Sequence, residues 1–311
     1  MASLDPISIV AQGRIGTAEA GEIGRLLDTV AIVEGAVTYN RDAWRDLTEA
    51  GRDGVVALVA RHPLDHQVVG YAQLAPDRSG CALDCVVGPL GRLEGLGADL
   101  TRAALDHVAS TGGGEVHRWL ERASRADERD AAAAGLHPTR SLYQLRRPLP
   151  VEGDPGDGSR ALPTRPFRPG EDETAWLEVN NRAFVRHPEQ GGWDLATIAR
   201  REAEPWFDPD GFLLHEIDGR LAGFCWTKVH DDEDPVYGEI YVIAVDPDFE
   251  NQGLGRSLVL AGLDHLAARR ITVGMLYVDA GNVGAVKLYA DLGFEVHHVN
   301  RLYAAAIGGR P

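Results

Sequence analysis

The sequence predicts an α/β protein made of two tandem units, each a mixed central sheet covered by helices. Length, a break near the middle and an echo between the halves carry this expectation. A chain of 311 residues exceeds what one compact core usually needs, so two domains of about 150 residues are the first expectation. Residues 148–163 run through Pro-Leu-Pro and Gly-Asp-Pro-Gly-Asp-Gly-Ser to a further proline. Such a stretch offers a core almost nothing and reads as a flexible linker. The expected division is therefore 1–147, a linker 148–163, and 164–311.

The echo is between strand–turn–helix runs. Leu83-Asp84-Cys85-Val86-Val87-Gly88-Pro89 followed by Gly95-Leu96-Gly97 parallels the strand ending in Val245-Asp246-Pro247 followed by Gly253-Leu254-Gly255. Each glycine pair opens a helix, over 98–109 in one half and 256–269 in the other. Ala134-Gly135-Leu136, ahead of an apolar strand at 142–145, parallels Leu292-Gly293-Phe294 ahead of Arg301-Leu302-Tyr303. A duplicated α/β unit is the simplest account.

In the second half a strand at 165–168 leads to helices over 172–184 and 194–204. Strands follow at 212–217, 221–229 and 239–245, with Gly219 supplying the hairpin turn between the first two. After the glycine turn and its helix come a strand at 275–278, a helix at 283–291 and a final strand. Strands interspersed with helices suggest a mixed sheet with helical cover.

A formal charge of −16 argues against a nucleic-acid or anionic-membrane surface, which would need clustered cations. Cys81, Cys85 and Cys225 have no metal-ligand pattern and read as buried thiols. Residues 1–16 lack a basic patch followed by an apolar core, and no apolar run approaches the roughly 18 residues of a membrane span. A cytoplasmic monomer acting on a small molecule is expected. Lys228 and Lys287 are the only lysines, and both fall in motifs that bear on function.

Those motifs begin at Gly253 and Gly255, where backbone amides can approach a ligand and the following helix points its positive end at the same place. A pyrophosphate fits there, although a tight strand-to-helix turn would look the same. Glu239 stands on the preceding strand, on a period-2 face that it would share with Tyr241 and Ile243. A carboxylate there suits removal of a proton from an amine whose pKa is about 7.7 to 8.0, or simply a solvated edge. Asn282, Ala285 and Tyr289 share one helical face, where Tyr289 is a proton donor or a core ring on Phe294. Lys287 meets a phosphate or water.

This constellation resembles the GCN5-related N-acetyltransferases, whose pyrophosphate loop reads Gln/Arg-x-x-Gly-x-Gly/Ala after a strand ending in Val-Asp-Pro. The resemblance implies two tandem folds of that type and acetyl-CoA as cosubstrate, with no metal. Ile243-Ala244-Val245 and Glu250-Asn251-Gln252-Gly253-Leu254-Gly255-Arg256 would hold the cofactor, as would Asn282-Val283-Gly284-Ala285-Val286-Lys287. Glu239 would be the base, and Tyr289 would protonate the departing thiolate. Glu250 departs from the pattern and is expected to point outward or lend only its backbone, with Arg256 restoring positive field.

Upstream, Val179-Asn180-Asn181-Arg182-Ala183-Phe184, His187-Pro188-Glu189-Gln190-Gly191-Gly192-Trp193, Trp206-Phe207-Asp208-Pro209-Asp210-Gly211 and Trp226-Thr227-Lys228-Val229-His230 set polar groups beside tryptophans. A sugar site requires that pairing, although ordinary loops and caps supply it too. With the duplication, these segments resemble the actinobacterial tandem members of the family that acetylate the cysteinyl amine of desacetylmycothiol. That resemblance implies substrate contacts from Glu189, Lys228, Glu239 and Tyr277, with Arg41 or Asp42 adding one from the first half. Counting back from Gly95 and Gly135, as Glu239 and Tyr289 stand from Gly253 and Gly293, lands on Cys81 and Ala131. The first half thus lacks both proton-transfer groups, while Cys85-Val86-Val87 and the loop 92–97 could still hold CoA, despite Leu93 and Glu94 where basic residues are expected. The rival readings are another small-amine acetyltransferase of the same fold and a non-catalytic acyl-CoA-binding module.

Overall fold

The computed structural model describes residues 7–34, 41–49, 53–77, 79–89, 95–122, 124–151, 162–185, 190–231 and 234–310. They fall into two compact units, Met1–Leu142 with Val299–Pro311, and Tyr143–His298. This differs from the division expected at the linker. The strand expected at 142–145 belongs to a longer one, β6 (His137–Pro148), that changes unit after Leu142. The last strand, β12 (Glu295–Gly308), returns to the first unit from Val299 onward.

In the first unit, β1 (Ser8–Gln12), β2 (Val56–Arg61), β3 (Val68–Asp77) and β4 (Gly80–Val87) form an antiparallel run in sheet order. β5 (Gly113–Leu120) joins β4 in parallel, and β12 pairs antiparallel with β5 from Arg301↔Leu120 to Gly308↔Gly113. Alternation along β2 and β3 divides the apolar residues between two cores. Leu58, Ala60, Ala72 and Leu74 meet α3 (Leu96–Ser110). Ala57, Val59 and Tyr71 meet α1 (Thr17–Glu34) and α2 (Arg41–Thr48). α4 (Arg125–Ala133) begins in a capping box, Ser124 accepting from Asp127 N–H while Asp127 accepts from Ser124 N–H.

The second unit orders its sheet β7 (Arg165–Pro166), β8 (Phe212–Ile217), β9 (Arg220–His230), β10 (Tyr237–Val245), β11 (Val273–Asp279), then β6 from Tyr143. β7 to β10 pair antiparallel, and β10 with β11 is parallel. The β8–β9 hairpin turns through Asp218 at φ 51° and Gly219 at φ 74°, the two left-handed residues of a tight hairpin. One face packs under α7 (Leu254–Ala268) and α8 (Val283–Asp291). A Cβ at Gly262 would strike Cys225 and Ile240, so only glycine lets α7 lie this close to the sheet.

The other face packs against α5 (Glu173–Ala183) and α6 (Leu195–Glu202) through an aromatic core. Trp176 is fully buried and meets Trp193, Phe212, Phe224 and Trp226 edge-on, with centroids 5.4 to 5.8 Å apart. Truncating it would leave a large void that four rings cannot jointly fill. Trp176→Ala is therefore expected to destabilise this unit by about 3–5 kcal/mol, read as a lowered urea midpoint of the near-ultraviolet circular dichroism signal.

Candidate active site

The site starts from an irregularity in β10. Ile240 pairs with Thr227 and Val242 with Trp226, which leaves Tyr241 as an extra residue, a β-bulge. The bulge resets the alternation. Ile240, Ile243 and Val245 pack in the core under α7 and α8, whereas Tyr241, Val242 and Ala244 join the aromatic core. The face expected to hold Glu239, Tyr241 and Ile243 is therefore corrected: Tyr241 shares it, and Ile243 lies on the opposite one. Pairing with β11 covers only Gly238 to Ile240, so the two strands part just where the bulge begins.

Glu239 stands before the bulge, 7% exposed, opposite Lys228 in the β9 register. Its Oε2 lies 2.7 Å from His230 Nε2. The His230 ring stacks on Tyr237 at 4.6 Å, and the Arg146 guanidinium lies 4.7 Å from the Tyr237 ring centre. Arg146 Nε donates to Gln144 Oε1 at 2.9 Å, and Gln144 Nε2 donates to Tyr277 Oη at 2.8 Å. Lys228 Nζ sits 4.6 Å from the Trp206 ring centre and 5.8 Å from that of Tyr241, within cation–π reach. Glu239, Lys228 and Tyr277 are thus members of one polar patch on an otherwise apolar sheet face. His230 belongs to it as well. Its two-residue spacing from Lys228, which puts both side chains on one strand face, is the signal in the sequence that points to it.

Beside this patch lies a cleft of about 840 Å³ whose lining includes Trp206, Phe207, Asp208, Asp210, Lys228 and His230. Two of the four upstream segments therefore meet there. Within them Trp226 is fully buried and stacked on Phe212 at 4.3 Å, so Trp206 is the tryptophan that borders the cleft. The Asn180–Asn181 pair serves the backbone instead: Asn180 Nδ2 donates to Gln190 O at 2.9 Å, and Asn181 Nδ2 donates to Trp193 O at 2.8 Å. Glu189 lies outside the described residues, as do Arg92, Leu93 and Glu94, and the side chains of Arg41 and Asp42 on α2 lie outside them too.

The turn after β10 is left-handed and opens a helix. Asn251 and Gly253 have φ 62° and 77°, and Gly253 caps α7 with open space where a Cβ would stand. The N–H groups of Leu254 and Gly255 precede the first helical bond, from Ser257 N to Gly253 O at 3.4 Å. The first turn of α7 carries no acid. Glu250, Asn251 and Gln252 are exposed, whereas Arg256 is half-buried.

Tyr289 on α8 is 7% exposed and packs edge-on against Phe294 at 5.8 Å. Burial, with Cys225 nearby, pushes its phenol well above the usual tyrosine range, so it stays protonated through neutral pH. Asn282 caps α8, its Oδ1 accepting from Ala285 N at 3.1 Å. Ala285 and Val286 pack into the core, Val283 is exposed, and Lys287 pairs with Asp291 at 2.8 Å on the surface.

The first unit repeats the scaffold without the groups. β4 and β5 pair in parallel only at Cys81↔Val116 and Ala82↔His117, and Gly95 caps α3 at φ 74°. Cys81 is partly buried, and burial pushes its thiol up to about 11. Ala131 is fully buried. Cys85 is held under α3, Arg118 donating to its carbonyl at 3.2 Å, and Val86 and Val87 are buried. Asp130 lies so close to Gly97 that a Cβ there would meet its carboxylate, whereas the neighbour of Gly255 is the apolar Leu288. Burial raises the pKa of Asp130, with Asp127 adding to the shift.

A parted parallel pair, an anion turn and an adjoining carboxylate together define an acyl-CoA-dependent acyltransferase. Residues 174–294 match the Acetyltransferase (GNAT) family, whose members use acetyl-CoA. The chain is 45% identical to a mycothiol acetyltransferase of Acidimicrobium ferrooxidans over 88% of its own length and 89% of that protein's. It is 41% identical to one of Thermobispora bispora, over 89% and 93%. A tandem GNAT protein from the clavulanic acid biosynthesis pathway has the same fold, with TM-score 0.64 at 19% identity, covering 98% of this chain and 100% of that one. The chain belongs to the mycothiol acetyltransferase family.

The two glycine turns differ in charge, and that difference is measurable. Calorimetry with CoA is expected to resolve the Gly253 turn as the tighter one. Asp130→Leu should strengthen binding at the Gly95 turn by about tenfold or less, the scale of one charge at a helix N-terminus. An unchanged isotherm would show that this carboxylate does not bear on CoA.

Proposed function

We propose that this enzyme transfers the acetyl group of acetyl-CoA to the cysteinyl amine of desacetylmycothiol, giving mycothiol and CoA. The observation that carries the reading is that Glu239 stands near the end of the β10–β11 pairing, opposite Lys228, which lines the cleft beside Trp206. The cleft joins an indole and a phenyl ring to the carboxylates of Asp208 and Asp210, a set suited to the apolar faces and hydroxyls of a pseudodisaccharide. Lys228 reaches into the same space from beside Glu239.

Gly253, Leu254 and Gly255 hold the pyrophosphate through backbone N–H groups and the positive end of α7. Ile243, Ala244 and Val245, on the strand edge beyond the last pair with β11, offer main-chain groups to the pantetheine arm. Asn282 to Lys287 and Tyr277 flank it from α8 and β11. Glu239 removes the proton from the cysteinyl ammonium, and the amine attacks the thioester carbonyl. A strand N–H near Ile243 polarises the carbonyl oxygen. Tyr289, protonated because it is buried, gives its proton to the departing sulfur.

Glu239→Gln and Tyr289→Phe are each expected to lower kcat by about 10²- to 10⁴-fold, the range for a positioned acid or base, while leaving acetyl-CoA affinity near the parent's. Lys228→Ala should act mainly on KM for desacetylmycothiol. Steady-state kinetics with desacetylmycothiol, a polyamine and an aminoglycoside as competing acceptors would check both. Turnover with the other amines alone would overturn the acceptor assignment.

A further inference from the structure

His230 has no part in the mechanism so far, yet its ring nitrogen makes a 2.7 Å contact with the carboxylate of Glu239. We infer that His230 is a positioning residue for that carboxylate: it holds Glu239 turned so that one oxygen remains for the substrate. The inference rests on Glu239 being the base.

A general base must be a carboxylate, which only accepts hydrogen bonds, so in that role Glu239 takes its 2.7 Å contact from a hydrogen on His230 Nε2. The Glu239 side chain is 9% exposed and that of His230 19%. A carboxylate so removed from water needs hydrogen-bond donors in place of its lost solvation. With Oε2 engaged by His230, Oε1 is the oxygen left for a proton from the acceptor amine. The imidazole is itself fixed, by the stack on Tyr237 and by Arg146 beside that ring, with Arg146 held in turn by Gln144 and Gln144 by Tyr277. Five side chains thus fix the angle at which one hydrogen bond reaches Glu239.

The charged and titratable groups around the pair come from every neighbouring element. Lys228 stands opposite Glu239 on β9, and Asp231 follows His230 at its end. Tyr237 and Tyr241 flank Glu239 on β10, Tyr277 lies on β11 and Arg146 on β6; Arg201 on α6 and Glu204 just after it act on Tyr241, and Asp208, Asp210, His265 and Arg269 line the adjoining cleft. Lys228 directs its ammonium towards the rings of Trp206 and Tyr241. Among the described residues, His230 is the one with a hydrogen bond to the carboxylate.

The test is the pH dependence of acetyl transfer by the full chain carrying His230→Ala or His230→Gln. For His230→Ala, kcat/KM at neutral pH should fall about 10- to 100-fold, the worth of one hydrogen bond to a charged group. The acidic limb of its profile should move upward by about one pH unit or more, with KM for acetyl-CoA unchanged. His230→Gln retains an N–H donor at similar reach and should recover most of the rate and return the limb towards the parent's. In a Glu239→Gln background, His230→Ala should cost nothing further, because the two substitutions remove one interaction. A parent-like profile for His230→Ala, a rate loss without a moved limb, or additive losses in the double variant would each overturn the inference while leaving Glu239 as base. Parent-like turnover by Glu239→Gln alone would instead remove the base reading on which it stands.

Discussion

The bulge at Tyr241 is the constraint on which the second unit's chemistry depends. One extra residue in β10 turns Tyr241 and Val242 to the same side and sends Ile243 and Val245 to the other. The strand bends away from β11 at that point, and main-chain groups that a continuous sheet would use for pairing become available. Without the bulge, Glu239 and Ile243 would share a face and β10 could run on beside β11. The gap beside β11, with Glu239 on one face and Tyr289 on the other, would then be absent. Tyr289 packs with the Ile240 and Ile243 side, and Glu239 belongs to the Tyr241 side, so the parted edge is where the two faces can serve one reaction.

Much of this was legible in the residues because it depends on local order. Gly253-Leu254-Gly255 after Val-Asp-Pro specifies a strand, a left-handed turn and a helix start, whatever surrounds them. Gly219 marked its hairpin for the same reason. The bulge was not legible, since Tyr241, Val242 and Ile243 are all good strand formers and alternation is the default expectation. The return of β12 to the first unit was also hidden. Its residues from Val299 pair with β5, far away in sequence, and only that pairing shows which core Tyr303 fills. Trp226 and the Asn180–Asn181 pair misled in the opposite way: residue types suited to a sugar site are equally suited to filling a core and pinning a loop. Composition near a motif does not say which way a side chain points.

Comparison of the two units separates what the scaffold supplies from what chemistry requires. Both have a short parallel pair that parts and a left-handed glycine that opens a helix. Cys81 stands opposite Val116 as Glu239 stands opposite Met275. Raised by burial, that thiol is mostly neutral at neutral pH and is a poor proton acceptor. Ala131 offers no proton at all where Tyr289 offers one. The helix dipole also meets different surroundings, since α3 has Asp99 in its first turn and Asp130 against Gly97, whereas the first turn of α7 has no acid. Backbone geometry is therefore duplicated, and the charges that give it a function are not.

That distinction also accounts for Glu250, the acid that departs from the family's loop pattern. A side chain at this position would matter if it supplied a donor to the phosphates. The main-chain N–H groups that open α7 begin after Gly253, and Glu250 precedes them, exposed to solvent. An exposed carboxylate is screened by water and salt, whereas the amides and the end of α7 act at contact distance. The first turn of α7 is where an acid would face the anion directly, and there the sequence places Gly255, Arg256 and Ser257. An anion site built from backbone N–H groups would thus tolerate an acid at its first loop position, where the side chain is exposed.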